Sequence, residues 1–228
     1  MARYTASVEK RFQSPGPQPN GLQAADDGLW VIDQVTLQVH KLDWETGKVI
    51  HEFDTETEHS SGITFGGGAL WISSTFGLEI VKVDPENGKT LARYPDPGVG
   101  FSSLVEGTES ARKSSSHGLE WRDGKIYVAA PPTQRVHVID VETWEEINQF
   151  PTGGLRVHGI GWNQDGRLWV SDTSAGTVQL MQPDSGRIYD VFRVDEPDEV
   201  HGMTVFNGDL WYCDAGTRDI GILRRQTP

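Results

Sequence analysis

The sequence predicts an all-β fold: a five-bladed β-propeller of four-stranded antiparallel blades, closed by an N-terminal strand that pairs into the last blade. Three observations carry this expectation. A pattern of a polar residue, Gly, an apolar residue, a short turn and an aromatic strand recurs five times. Its spacing matches the roughly 40–45 residues of a four-stranded blade. The last copy lacks one strand, and a strand-like segment precedes the first copy.

The copies are Asn20–Asp33 (NGLQAADDGLWVID), Ser61–Ser74 (SGITFGGGALWISS), His117–Ala130 (HGLEWRDGKIYVAA), His158–Asp172 (HGIGWNQDGRLWVSD) and His201–Asp214 (HGMTVFNGDLWYCD), in steps of 41, 56, 41 and 43 residues. Each reads as two strands joined at DDG, GGG, RDG, QDG or FNG, where Gly supplies the positive φ of a tight hairpin. Two further strands follow the first four copies. They are LQVHKLD and KVIHEFD around WETG, LEIVKVD and KTLARYP around PENG, RVHVIDV and EEINQFP around Glu142 and Thr143, and TVQLMQP and RIYDVFRV around DSG. The fifth copy has only IGILRR, and SVEKRFQ, residues 7–13, is expected to supply its missing strand and protect the sheet edges. One domain spans 1–228, with blades near 20–55, 61–97, 117–152, 158–195 and 201–228 plus 5–14, and an insertion at 95–116. No segment of helical period competes with this reading. Trp30, Trp71, Trp169 and Trp211, with Tyr127, are expected to fill the wedges between blades.

Bulk properties narrow the function. A net charge of −13 argues against nucleic acid or an anionic membrane as partner. No apolar run approaches the roughly 18 residues of a membrane helix. The opening MARYTASVEKRF has no apolar stretch behind its basic residues and is not read as a secretory signal. The single cysteine, Cys213, excludes an internal disulfide framework and suits a reducing compartment, so a cytoplasmic location is expected.

The first strand of each blade lines the axis, so the residue before each repeat Gly sits once per blade at one mouth of the channel. That ring is Asn20, Ser61, His117, His158 and His201. Three imidazoles at equivalent positions of consecutive blades suit a divalent ion (Zn²⁺, Fe²⁺, Mn²⁺, Ni²⁺, Cu²⁺ or Mg²⁺) with positions left open for water or substrate. The competing reading is a polar rim copied by duplication, each residue capping local backbone. His40, His51 and His137 fall in outer strands and are read as surface or inter-blade residues; His59 lies near Ser61 and suits a supporting role. Asp33, Asp172 and Asp214 end second strands, where an acid either orients a ligand imidazole, moves a proton, or builds the following turn. Arg156 and Glu199 each precede a ring histidine by two residues, the spacing that shares a strand face. Arg156 suits binding of a carboxylate or oxyanion and Glu199 proton transfer, and a rim salt bridge is the alternative for both. The insertion ends at His117. Gly98, Gly100 and Gly107 would let it move over the site, and Arg112 and Lys113 would attract an anion. A disordered surface loop, suggested by the run Ser114–Ser116, is the other reading.

HGIGWNQDGRLWVSD resembles the repeat of the virginiamycin B (streptogramin) lyase family and, more broadly, of NHL-repeat and gluconolactonase-type propellers. The resemblance covers most of the chain at the level of repeats. That lyase family opens a cyclic depsipeptide ester by elimination with His and acidic residues near a divalent metal, and His158 with Asp172 and His201 with Asp214 are similar by position. Pro19, Asn20, Gly21 and Leu22 match a PNGL segment whose Asn is a metal ligand in gluconolactonase-type enzymes. The peptidylglycine amidating lyase is similar in holding zinc with three His around the axis. Those families have six or seven repeats where this chain has five.

The expected function is a metal-dependent lyase or hydrolase, with an oxygenase as a further option, acting on a small molecule at the channel mouth. His117, His158 and His201 would hold the ion, with Asn20, Ser61, His59 and Asp33 as further or supporting residues, and Glu199, Asp172, Asp214 and Arg156 would do the chemistry. The alternative is a non-catalytic platform that binds a ligand or protein. Metal content discriminates the two.

Overall fold

The computed structural model describes residues 4–101, 113–194 and 199–226, and all regular structure among them is β-strand. The chain opens with β1 (Tyr4–Gln13). Three antiparallel four-stranded sheets follow in order of sequence. They are β2 (Pro19–Ala25), β3 (Gly28–Asp33), β4 (Gln38–Leu42) and β5 (Val49–Asp54); β6 (Ser60–Gly66), β7 (Ala69–Ser74), β8 (Glu79–Val83) and β9 (Thr90–Pro95); and, after the short pair β10 (Gly100–Phe101) and β11 (Lys113–Ser114), β12 (Gly118–Arg122), β13 (Lys125–Ala130), β14 (Arg135–Asp140) and β15 (Glu146–Pro151). The remaining strands are β16 (Val157–Trp162), β17 (Leu168–Asp172), β18 (Thr177–Met181), β19 (Ile188–Val194), β20 (Gly202–Phe206), β21 (Asp209–Cys213) and β22 (Asp219–Arg225). With β1 they form one eight-stranded sheet in the order β16-β17-β18-β19-β1-β22-β21-β20.

The sequence led us to expect β1 beside the last strand, and it pairs antiparallel with β22 from Ala6↔Arg225 to Gln13↔Asp219. It also does something the repeat pattern did not suggest. Its first residues pair in parallel with β19, from Tyr4↔Phe192 to Ala6↔Val194, and so join two antiparallel groups of four into one sheet. The reason is the edge: an outermost strand leaves unpaired N–H and C=O groups, and the start of β1 satisfies those of β19.

Tight hairpins join the first two strands of each group. Asp123 and Gly124 at one turn, and Asn207 and Gly208 at another, have successive positive φ values (51° and 72°; 52° and 85°). These are the angles of the primed turns that match strand twist.

The first strands β2, β6, β12, β16 and β20 touch one another in a closed cycle. The repeat glycines make that possible. A Cβ on Gly21, Gly62, Gly118 or Gly159 would run into the carbonyl oxygen of Ser61, His117, His158 or His201 on the next inner strand, and one on Gly202 would meet Gly21. Two residues further along, side chains reach across the same seams to the free inner edge. Gln23 Oε1 accepts from the Phe65 amide (3.1 Å) and the Thr64 hydroxyl (2.7 Å), Thr64 Oγ1 accepts from the Trp121 amide (2.9 Å), and Thr204 Oγ1 accepts from the Ala24 amide (3.1 Å).

Outside this ring, apolar side chains of neighbouring groups interdigitate. Trp30, Ile32 and Val39 pack with Ile63, Leu70, Ile72, Val81 and Val83. Trp71 stacks on Trp121 and on Trp144 (centroids 5.9 and 6.0 Å), and Trp211 packs against Phe12 and Trp44 (6.0 and 5.1 Å). The tryptophans fill the wedges, as their recurrence suggested. Replacing Gly118 by Ala inserts a methyl group against backbone that cannot swing aside. We expect Gly118→Ala to destabilise the fold by about 3 kcal/mol, the upper part of the usual overpacking range, read as a lower urea midpoint at unchanged m value.

Candidate functional site

The ring residues stand where the inner strands begin, and local irregularity aims them. The register of the first two strands slips between Pro19 and Gly21, between Ser60 and Ile63 and between Val157 and Ile160, so Asn20, Ser61 and His158 lie at bulges. A bulge takes a side chain out of strict strand alternation and re-aims it. His117 and His201 lie just before their strands, with amides bonded to Ala129 O (2.8 Å) and Cys213 O (3.0 Å).

The three imidazoles come together in a row. His158 is central, its ring centroid 4.2 Å from that of His117 and 5.1 Å from that of His201. His158 Nδ1 lies 2.9 Å from the carbonyl oxygen of Arg156. A carbonyl only accepts, so Nδ1 carries the proton and Nε2 is left with its lone pair. His117 Nδ1, His201 Nδ1 and Asn20 Oδ1 are buried with no hydrogen-bond partner. Leaving a buried polar atom unpaired costs about 1–3 kcal/mol, so three on one ring are a concentrated demand for a ligand. Even so, among the described residues no group of three or more His, Cys, Asp or Glu side chains stands arranged to hold a metal ion. The rings meet, and their nitrogens are not gathered on one point.

Burial keeps these rings neutral. It pushes the His117 pKa down to about 3, helped by the charges of His201, Arg156 and His59. Burial, then His117 and His201, hold His158 well below the ordinary imidazole value. His201 is lowered by burial too, opposed by Glu199 and Asp214. Glu199 Oε2 lies 3.7 Å from His201 Nε2 on a half-exposed side chain.

The other candidates divide. Ser61 is fully buried and bonded to Thr75 Oγ1 (2.8 Å) and Gln34 Nε2 (3.4 Å). His59 has φ 57° and stacks on Phe76 with centroids 3.8 Å apart. Asp33, Asp172 and Asp214 are buried and build turns. Asp33 accepts from the amides of Gln18, Val35 and Thr36, Asp172 from those of Arg156 and Ala175, and Asp214 from those of Glu199, Gly216 and Thr217. Each carboxylate thereby ties the chain entering an inner strand to the turn after the second strand. The further hydrogen bonds of Asp33 and Asp172 go to the turn hydroxyls of Thr36 and Ser174.

At the insertion, residues 102–112, and with them Gly107 and Arg112, lie outside the described residues. Its two ends are not the loose surface segment that the glycines and serines suggested. Gly98 packs over Ala130 and Gly100 over Pro132, so their missing side chains serve close packing. Ser114, Ser115 and Ser116 are buried: the Ser116 amide and hydroxyl bond to Asp96, and Ser115 Oγ donates to Thr75 O (3.0 Å). Lys113 is exposed.

Sequence reasoning passed over Glu120. It lies two residues after Gly118 on an inner strand, at the position held by Gln23, Thr64 and Thr204 elsewhere, and is buried. Burial holds its carboxyl well above the usual carboxylate range. The signal was available: read as a column, that repeat position is Gln, Thr, Glu, Gly, Thr.

The depressed imidazoles predict how acid acts on the metal-free protein. An unfolded histidine takes up a proton below about pH 6.5, whereas folded His117 does so only near pH 3. Between these values the unfolded chain binds more protons, so stability falls as pH falls through that window. Thermal scans should show the melting temperature dropping from about pH 7.5 to about pH 5. The drop should be shallower in His117→Gln, whose side chain does not titrate.

No protein-family model and no curated protein matches the chain. Solved structures do. Glutaminyl cyclase from Myxococcus xanthus is similar with a TM-score of 0.73 at 9% identity, over 98% of this chain and 98% of that one. A streptogramin B lyase structure gives 0.56 at 17%, over 96% and 97%. A catalytically inactive His-to-Ala variant of virginiamycin B lyase from Staphylococcus aureus, with quinupristin, gives 0.57 at 17%, over 90% of this chain and 66% of that one. At these identities the likeness is one of fold, and by fold the chain is a β-propeller of the kind found in these lyases and in glutaminyl cyclase.

Proposed function

We propose that the chain is an enzyme, a lyase or hydrolase, acting on a small molecule at the histidine ring of a five-bladed propeller. Five inner strands in one closed cycle, each heading an antiparallel group of four, support the count of five, the eight-stranded sheet contributing two blades. One observation carries the functional reading: the buried, unpartnered Nδ1 atoms of His117 and His201 stand on either side of His158, whose Nε2 lone pair is fixed in place. The structural neighbours include lyases and a cyclase, and in one of them a His-to-Ala change accompanies loss of catalysis.

The donor types suit a divalent metal, and binding one requires the rings to turn so that their nitrogens converge, which they do not do in this arrangement. The Nδ1–H of His158 donates to a backbone carbonyl, the outer bond that a ligand imidazole commonly makes. Two imidazoles sharing one tetrahedral ion stand with ring centres roughly 5 Å apart, given bonds of about 2.0–2.1 Å; the observed separations are 4.2 and 5.1 Å. Magnitudes also favour donor over base. A ring protonated only near pH 3 is a weak general base at neutrality, yet its lone pair stays open to a metal without proton competition. His117, His158 and His201 would hold the ion, and Asn20 heads the inner strand next to that of His201. When bound, such an ion polarises a carbonyl or lowers the pKa of water. Glu199, half-exposed beside His201, is the group suited to move a proton at the ring. Asp172 and Asp214 act through the backbone, holding the segments that carry Arg156 and Glu199.

The test is metal content and affinity in full-length protein prepared without a histidine tag. We expect a near-stoichiometric transition metal, and a loss of Co²⁺ affinity of at least about 100-fold in His158→Ala. Wild-type protein that binds no metal, or a folded His117→Ala/His158→Ala/His201→Ala variant that binds it unchanged, would overturn the metal reading and favour a binding platform.

A further inference from the structure

Beside the ring sits a positive charge with no ion-pair partner among the described residues. The main chain of Arg156 is fixed from both sides: its amide donates to Asp172 Oδ2 (3.4 Å), and its carbonyl accepts from His158 Nδ1 (2.9 Å) and the Thr173 amide (3.1 Å). Its guanidinium makes no ion pair or side-chain hydrogen bond among the described residues, and the residue is only partly exposed. Several other arginines have acidic partners: Arg93 pairs with Glu79 and Glu56, Arg167 with Asp165, Arg224 with Glu9 and Asp209, and Arg225 with Asp190. Its backbone carbonyl is bonded to the central imidazole of the row, so the residue is tied directly to His158.

We infer that Arg156 is a specificity residue that anchors a carboxylate, so that the site takes small molecules bearing a carboxylate end. This rests on reading the histidine ring as the substrate site. A guanidinium presents two parallel N–H groups that match the two oxygens of a carboxylate. Held by a fixed main chain two residues from His158, it would bring the rest of such a molecule over the imidazole row. A monoanion suits the balance of charge better than a phosphate dianion. Arg156 brings a single positive charge, the Glu199 carboxylate stands on the neighbouring inner-strand lead beside His201, and the whole chain carries −13.

The experiment is calorimetric titration of the full chain with simple acids (acetate, propionate, benzoate, N-acetylglycine) and their amides, alongside a separate Co²⁺ titration. Wild-type protein should prefer at least one acid over its amide by roughly tenfold or more. Arg156→Gln should reduce that preference to within about twofold, and Arg156→Lys should restore part of it. Unchanged Co²⁺ affinity in Arg156→Gln would show the ring intact. A wild-type protein that binds no acid saturably or binds acids and amides equally, or an Arg156→Gln variant that keeps the preference, overturns the inference. Acid preference that depends on Arg156 in a protein that binds no Co²⁺ supports the anchor while removing the metal reading.

Discussion

Everything in this molecule depends on one steric condition: five backbone segments must approach one another around a common axis without side chains between them. Gly21, Gly62, Gly118, Gly159 and Gly202 meet that condition. Because each lies against the carbonyl or α-carbon of the next inner strand, the residue immediately before it is carried to the end of the closed cycle where the inner strands begin. The same closeness leaves inner-edge amides with no strand to pair with, and Gln23, Thr64 and Thr204 satisfy several of them across the seams. Architecture and site therefore share a cause. A wider ring would separate the imidazoles and admit water to them.

That dryness decides the chemistry available. Imidazoles in open water titrate near neutrality; packed against each other, away from solvent and beside Arg156, these stay uncharged. An uncharged imidazole with one nitrogen committed to the backbone offers a lone pair and little basicity, which suits coordination more than proton transfer. The carboxylates near the mouth divide accordingly. Those with several amide partners shape the chain, and Glu199 keeps a half-exposed head beside His201.

Much of this was legible in the amino-acid order, because the repeat imposes one set of constraints five times. Glycine at the seam, a turn residue with positive φ and an aromatic residue in the wedge each leave a mark at fixed spacing, and the row His117, His158, His201 follows from counting. What was not legible depends on contacts between distant segments. Pairing of Tyr4–Ala6 with Phe192–Val194 leaves no periodic trace, since any strand edge can accept a partner. The serines before His117 look like linker, and only the buried Asp96, twenty positions from Ser116, makes them part of the interior. An Asp that starts a turn and an Asp that orients a ligand read alike in sequence; the amide donors of Gln18, Arg156 and Glu199 distinguish them. Glu120 escaped notice because a carboxyl on an inner strand is unremarkable until burial is known.

The placement of β1 between β19 and β22 has a mechanical side. Its antiparallel partner lies more than two hundred positions away along the chain, as the contact of Thr5 with Gln226 illustrates. Joining them requires the largest loop closure in the fold, and such non-local pairings form late and slowly. Until that happens, β19 and β22 expose adhesive edges to any neighbouring molecule. Once it has happened, a force applied to the segment around Tyr4 is shared between two sheet groups at once. The ring then opens by shearing a ladder rather than by peeling one strand.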